Sequence, residues 1–151
     1  MQVGWHRGGW YTARWVDRLL FPANRPSATE ILPGLQHLEV GDFVPDGPPE
    51  TGCGFVVEEL VANRHLVLRS TTHLPRRWRD RGIAAVDWTW SFNLVAVGGG
   101  TRFVFRWRAH CEPWWLVAAV RTLVVPADIL MSGSMLRGVR ARAEGARSWN
   151  G

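Results

Sequence analysis

Residues 88–110, WTWSFNLVAVGGGTRFVFRWRAH, decide the fold of this chain. Large apolar side chains occupy every second position on both sides of the three glycines 98–100: Trp88, Trp90, Phe92 and Leu94, then Phe103, Phe105 and Trp107. The positions between them are mostly polar, and a period of two with a polar opposite face is typical of half-buried antiparallel strands. The glycines supply the permissive backbone of a hairpin turn. The stretch therefore predicts a hairpin with one aromatic face, which another part of the protein must cover.

The length of the chain, 151 residues, is enough for one domain with its own core. We predict a single domain over residues 1–145 and a frayed tail over residues 146–151. No uninterrupted run of 18 apolar residues occurs, so no transmembrane helix is predicted. The first 15 residues contain no apolar signal-peptide region, and we therefore expect a cytoplasmic protein.

The positive charge of the chain bears on whether it binds nucleic acid or an anionic surface. The net charge is +5 and all 18 basic residues are arginine, which raises the alternative of a nucleic-acid or anionic-surface binder. The densest cluster lies in one predicted loop and consists of Arg76, Arg77, Arg79 and Arg81. Because the other arginines are spread along the whole chain, this pattern favours solvated surface over a phosphate track, and no specific nucleic-acid partner is expected.

The two cysteines, Cys53 and Cys111, are far apart in sequence and match no metal-ligand spacing. In a chain without a secretion signal, two reduced buried thiols are favoured over a disulfide. We predict no metal and no cofactor.

The first half of the chain predicts short helices followed by strands. The expected elements are a helix over residues 12–20, a capping box between Ser27 and Glu30 that starts one helical turn, strands over residues 38–43, 54–60 and 65–71, and a loop over residues 73–85. The hairpin described above follows.

After Pro113 the period changes from two to that of a helix. Leu116, Ala119, Val120, Leu123 and Val124 follow the spacing of one apolar helix face. Pro126 is expected to kink or interrupt this helix, which then continues to about residue 144. Strands followed by one long C-terminal helix predict an α+β fold in which the aromatic face of the sheet meets the apolar stripe of the helix.

The ten tryptophans are several times the ordinary usage. Large rings that face a single helix pack imperfectly, and an incompletely filled core of this kind favours a ligand pocket. Met131 and Met135 supply adaptable walls on the opposite side. The alternative is that the rings simply fill a dense core.

The chain resembles bacterial proteins of the SRPBCC superfamily, which includes START domains, polyketide cyclases and the birch-pollen allergen. The matching pieces are HRGGWYTARWVDRL (residues 6–19), ILPGLQHLEVGDFVPDGP (31–48), TWSFNL (89–94), GTRFVFRWR (100–108) and PADILMSGSMLRGVRARAE (126–144). The resemblance implies a helix-grip fold, in which an antiparallel sheet wraps around a long C-terminal helix and leaves a hydrophobic cavity between them. It implies binding of a lipid or an aromatic, polyketide-like molecule. The residues expected to line the cavity are Trp10, Tyr11, Trp15, Trp88, Trp90, Phe92, Phe103, Phe105, Trp107, Leu123, Met131 and Met135.

Relatives carry a further strand and helix before the GRGGWY-like motif, whereas this chain starts almost on the motif. We expect that Met1 is a misassigned start or that the domain is shortened, and that an upstream extension would be more stable.

An enzymatic function remains an alternative to the hypothesis that the protein is a non-catalytic carrier. The superfamily includes cyclases and dehydratases, whose chemistry needs positioned polar groups. The candidates are Tyr11, Arg14, Arg106 and His110. No catalytic sequence motif is present, so the sequence favours a non-catalytic carrier or sensor, and its catalytic residues are unknown.

Overall fold

The computed structural model describes residues 4–12, 15, 18–19, 27–28 and 30–145. These residues form two compact units. One unit contains Leu38–Arg121, and the other combines Met1–His37 with Thr122–Gly151. The predicted tail over residues 146–151 lies outside the described residues. The expectation of a single domain over residues 1–145 stays a prediction.

The first unit is built on a five-stranded antiparallel sheet in the order β1-β2-β3-β4-β5. The strands are β1 (Phe43–Pro45), β2 (Gly54–Val61), β3 (His65–Ser70), β4 (Ala85–Val97) and β5 (Gly100–Glu112). Each strand pairs with the next one along the chain, and β1 and β5 form the two edges of an open sheet.

The predicted aromatic hairpin is confirmed. β4 and β5 pair through Trp90 opposite Trp107 and Phe92 opposite Phe105. The turn is Gly98-Gly99, and Gly99 has a φ of +79° that favours glycine. Both strands run for 13 residues, which gives the sheet a long face of alternating aromatic side chains.

Two predictions for this unit were wrong, one on where a strand starts and one on a loop. The strand expected over residues 38–43 begins only at Phe43, because Glu39 to Asp42 form a turn in which Gly41 takes a φ of +94° and the Asp42 N–H donates to the Glu39 carbonyl. The expected loop over residues 73–85 contains a short helix, α1 (Arg76–Asp80). Pro75 precedes this helix and an Arg76–Asp80 ion pair spans one of its turns.

The helix predicted after Pro113 is confirmed. It consists of α2 (Trp114–Ala119), a π-helical turn (Val120–Val124) and α3 (Val125–Ala143). Pro126 lies in the first turn of α3. Because its ring has no N–H and clashes with the preceding turn, the ladder widens to a π turn just before it, which is the predicted interruption.

The fold class is therefore α+β: an open antiparallel sheet followed in the chain by a long C-terminal helix, the elements of a helix-grip in their expected order. Of the helix expected over residues 12–20, Thr12 is not helical, Trp15, Arg18 and Leu19 are helical, and the other positions lie outside the described residues. Ser27 and Glu30 do not start a helix; instead the Ser27 hydroxyl accepts a hydrogen bond from the Tyr11 N–H.

The C-terminal helix also bears on membrane topology. The span Trp114–Ala143 is long and apolar enough to cross a membrane by length and composition, a test that core helices of soluble proteins also pass. The absence of a transmembrane segment stays a prediction.

Candidate functional site

The inner face of the sheet carries a continuous group of aromatic rings. We call it the aromatic face and define it by Phe55, Trp88, Trp90, Phe92, Phe103, Phe105 and Trp107. Trp90 lies at its centre, with ring centroids 4.5 Å from Phe55 and 5.6 Å from Phe105. Phe105 in turn lies 5.1 Å from Phe92. The rings of Trp90 and Phe105 meet edge-on, at 83°, which is one of the favourable arrangements for aromatic pairs.

The rings of the aromatic face are not equally covered. Phe55, Trp90 and Phe92 are buried, whereas four others are only half-buried: Trp88, Phe103, Phe105 and Trp107. All six predicted lining residues in this unit therefore share one face. The half-buried rings leave aromatic surface that a ligand can contact.

The other six predicted lining residues belong to the second unit. Trp10 and Met135 are buried there, and Tyr11 and Met131 are half-buried. Trp15 and Leu123 are 50% and 71% exposed.

A polar cluster that sequence reasoning missed lies at one end of the aromatic face. We call Asp46, His73 and Ser70 the polar triad. The His73 Nε2 lies 2.9 Å from the Asp46 Oδ2, and the His73 Nδ1 lies 2.7 Å from the Ser70 Oγ. The side chains of Asp46 and His73 are each only 12% exposed, and Ser70 is 4% exposed. One imidazole thus bridges a carboxylate and a hydroxyl in a largely buried setting.

The sheet and its connections bring the polar triad together. Asp46 follows β1, and Ser70 ends β3 directly opposite Trp88 on β4. His73 lies in the connection after β3, where its ring packs 4.6 Å from Phe55 and 5.2 Å from Trp88. The triad is therefore continuous with the aromatic face.

Thr72 holds Ser70 in place through a small hydrogen-bond network. Its Oγ1 accepts from the Gly54 N–H at 3.0 Å and donates to the Gly54 carbonyl at 2.9 Å. Its own N–H donates to the Ser70 Oγ at 3.0 Å. Since the Thr72 hydroxyl proton is directed at Gly54, the Ser70 hydroxyl proton is left for His73 or for the Thr72 oxygen.

The electrostatics of the triad are set by burial. Burial raises the pKa of the Asp46 carboxyl, and the hydrogen bond and charge of His73 oppose that rise. With Asp46 ionised, the His73 Nε2–H donates to it. The Nδ1 lone pair is then free to accept the Ser70 proton.

Cys53 can report on the charge of Asp46. The two cysteines are free thiols, as predicted, and Cys111 is buried while Cys53 is partly buried. Burial and then the Asp46 carboxylate raise the pKa of the Cys53 thiol to about 12, and Arg79 lowers it. Only the thiolate reacts with alkylating agents, so we expect iodoacetamide to modify Cys53 at pH 8 about 10³-fold more slowly than an ordinary exposed cysteine.

Asp46→Asn removes a charge that raises the Cys53 pKa, so this variant should be alkylated faster than the unaltered protein. Asp80→Asn, which removes an exposed acid, is the matched control and should leave the rate unchanged. Alkylation is followed by peptide mass spectrometry with time. Equal rates in Asp46→Asn and the unaltered protein would show that Asp46 does not act on Cys53.

The residues named for a catalytic reading do not gather at the aromatic face. Arg106 and His110 are exposed and alternate with the aromatic positions of β5, so they lie on the opposite face of the sheet. The His110 Nε2 contacts Glu112 at 3.2 Å. Tyr11 belongs to the second unit, where Arg142 stacks over its ring at 5.0 Å. Arg14 lies outside the described residues.

An open groove of about 640 Å³ lies where β4 starts and β5 ends. Its charged lining residues are Arg79, Asp87, His110 and Glu112. Asp87 is already engaged, because Arg69 donates to both of its oxygens at 2.9 and 2.6 Å and holds the pKa of that carboxyl below its usual range. No member of the polar triad lines this groove, so its chemistry is separate from that of the aromatic face.

The arginine cluster lies on and beside α1. Arg76 pairs with Asp80 at 3.6 Å, and the Arg79 guanidinium donates to the Leu74 carbonyl at 3.2 Å. Within the described part of the chain, no three His, Cys, Asp or Glu side chains are grouped as metal ligands.

Comparisons with protein-family models, with curated proteins and with solved structures gave no match.

Proposed function

We propose that this protein is a carrier or sensor, in the cytoplasm, that binds a hydrophobic small molecule against the aromatic face. The observation that carries the proposal is the uneven cover of that face. Buried Trp90 and Phe92 form a firm base, while Trp88, Phe105 and Trp107 keep part of their ring surface accessible. Ligand sites are mostly apolar with a few polar groups that fix orientation. The polar triad beside Trp88 supplies such groups.

The ligand class follows from the chemistry of the face. Flat rings offer stacking and edge-on contacts, which suit an aromatic, polyketide-like molecule or a lipid with apolar bulk. The resemblance to the SRPBCC superfamily supports the same class, since helix-grip proteins hold hydrophobic ligands. A cyclase or dehydratase remains the alternative. Arg106 and His110 no longer qualify as its catalytic residues, because they lie on the face of the sheet opposite the aromatic face.

The test is ligand binding followed by tryptophan fluorescence. The probes for the titration are 2-naphthol and a long-chain fatty acid. We also expect native mass spectrometry of protein purified without detergent to show a bound apolar species. Trp107→Ala should weaken binding at least tenfold, because it removes a half-buried wall of the face.

Trp114→Ala is the matched control, since Trp114 is 80% exposed and lies outside the aromatic face. It should leave the affinity unchanged. Binding that is absent across the probes, or that Trp107→Ala and Trp114→Ala reduce equally, would overturn the proposal.

A further inference from the structure

We propose that the polar triad is a hydrolytic site, with Ser70 as nucleophile, His73 as general base and Asp46 as the positioning residue, and that it cleaves esters of hydrophobic acids or alcohols. The choice of a hydrophobic substrate rests on the proposed function, whereas the assignment of roles rests on the geometry of the triad alone.

The first support is the hydrogen-bond geometry. A serine nucleophile needs a base within about 2.6–3.2 Å, and that base needs a third group to orient it. The distances from His73, 2.7 Å to the Ser70 Oγ and 2.9 Å to the Asp46 Oδ2, meet both requirements. Each ring nitrogen has one partner, so the carboxylate fixes the tautomer that accepts the serine proton.

The second support is the position of Ser70. It lies opposite Trp88 in the β3–β4 register, and side chains opposite each other in antiparallel strands have Cβ atoms about 4.5–5.5 Å apart. A molecule held on the aromatic face therefore brings its functional group beside the serine. Because Ser70 is only 4% exposed, the aromatic rings around it must move aside before the acyl group of a substrate can reach it.

The third support is a hydrogen-bond donor without an acceptor. The Trp88 Nε1–H is buried and finds no partner among the described residues. A buried donor left unpaired is destabilising, so a partner supplied by a ligand is favourable. A carbonyl oxygen that becomes negative during attack is such a partner.

The reaction balances with water as the second reactant. The Ser70 Oγ bonds to the ester carbonyl carbon while its proton passes to the His73 Nδ1. The bond from that carbon to the alcohol oxygen then breaks, and His73 gives the proton to the departing alcohol. Water attacks the acyl-serine, passing a proton to His73 and then to the Ser70 oxygen, and the carboxylic acid leaves.

The test uses the full chain with an alkyl fluorophosphonate as a covalent probe, and 1-naphthyl acetate and 4-nitrophenyl octanoate as substrates. We expect one phosphonyl adduct, located on Ser70 by tandem mass spectrometry. Ser70→Ala and His73→Ala should each lower kcat/KM at least 100-fold. Asp46→Asn should also lower kcat and shift the pH–rate profile, which a merely structural role would leave in place.

Ser91→Ala is the matched control. Ser91 sits on β4 and its hydroxyl donates to the Arg106 carbonyl, away from the polar triad, so activity should be unchanged. If Ser70→Ala fails to fold, the labelling of the unaltered protein still decides the question. An adduct elsewhere, or none, overturns the assignment. Binding of 2-naphthol without labelling would overturn the hydrolytic site and support the carrier function. Labelling without binding would support the hydrolytic site and overturn the carrier function.

Discussion

Trp90→Ala is expected to destabilise the sheet unit by about 3–5 kcal/mol, the usual cost of truncating a fully buried tryptophan. Trp90 is 3% exposed, and among the described residues its ring contacts those of Phe55, Trp88, Phe92 and Phe105. The substitution removes this contact area and leaves a cavity where rigid neighbouring rings cannot close up. Since a small domain has only about 5–15 kcal/mol of net stability, the variant should lose a large part of it.

Urea unfolding measured by far-UV circular dichroism gives the comparison. Trp114→Ala is the control, because it removes the same side chain from an 80% exposed position and should change stability by no more than about 0.5 kcal/mol. A loss below about 1 kcal/mol at Trp90 would mean that the centre of the aromatic face is loosely packed. The face would then lack the firm base that the proposed binding requires.

The aromatic hairpin could be predicted because its information is local. Alternation over residues 88–97 and 100–107 fixes both the strands and the face, and a shift of one residue would turn every ring to the other side. Trp90 opposite Trp107 is the pairing that this pattern requires. The helix after Pro113 was predictable for the same reason, since its spacing is carried by neighbouring turns.

The polar triad could not be predicted, because its members meet only through the sheet. Asp46 and His73 are 27 positions apart, and their contact depends on how β1 pairs with β2 and where the chain leaves β3. The true start of β1 was hidden by the turn at Gly41, which the alternation of residues 38–43 does not reveal. The one local signal was His73 three positions after Ser70, a spacing too common to identify a site.

Gly138→Ala in α3 is expected to destabilise the second unit by about 1–3 kcal/mol, as overpacking at a tight contact does. A Cβ at Gly138 would overlap the backbone carbonyl oxygen of Tyr11. That carbonyl cannot easily retreat, because the Tyr11 N–H is bonded to Ser27 at 2.9 Å and Arg142 holds the ring at 5.0 Å. Tyr11 also has a φ of +58°, so its backbone is already in a sparsely populated region.

The same helix contains the matched control. Gly133 has no atom within 4 Å of the position of an added Cβ, so Gly133→Ala keeps only the gain in helix propensity, about 1 kcal/mol. The two substitutions are chemically identical and five residues apart on α3, yet they should change the free energy of unfolding in opposite directions. Unfolding both variants in guanidinium chloride measures these changes in the free energy of unfolding. If both stabilise the protein equally, residue 11 does not pack against α3, and the N-terminal motif is not held by the contact between Gly138 and Tyr11.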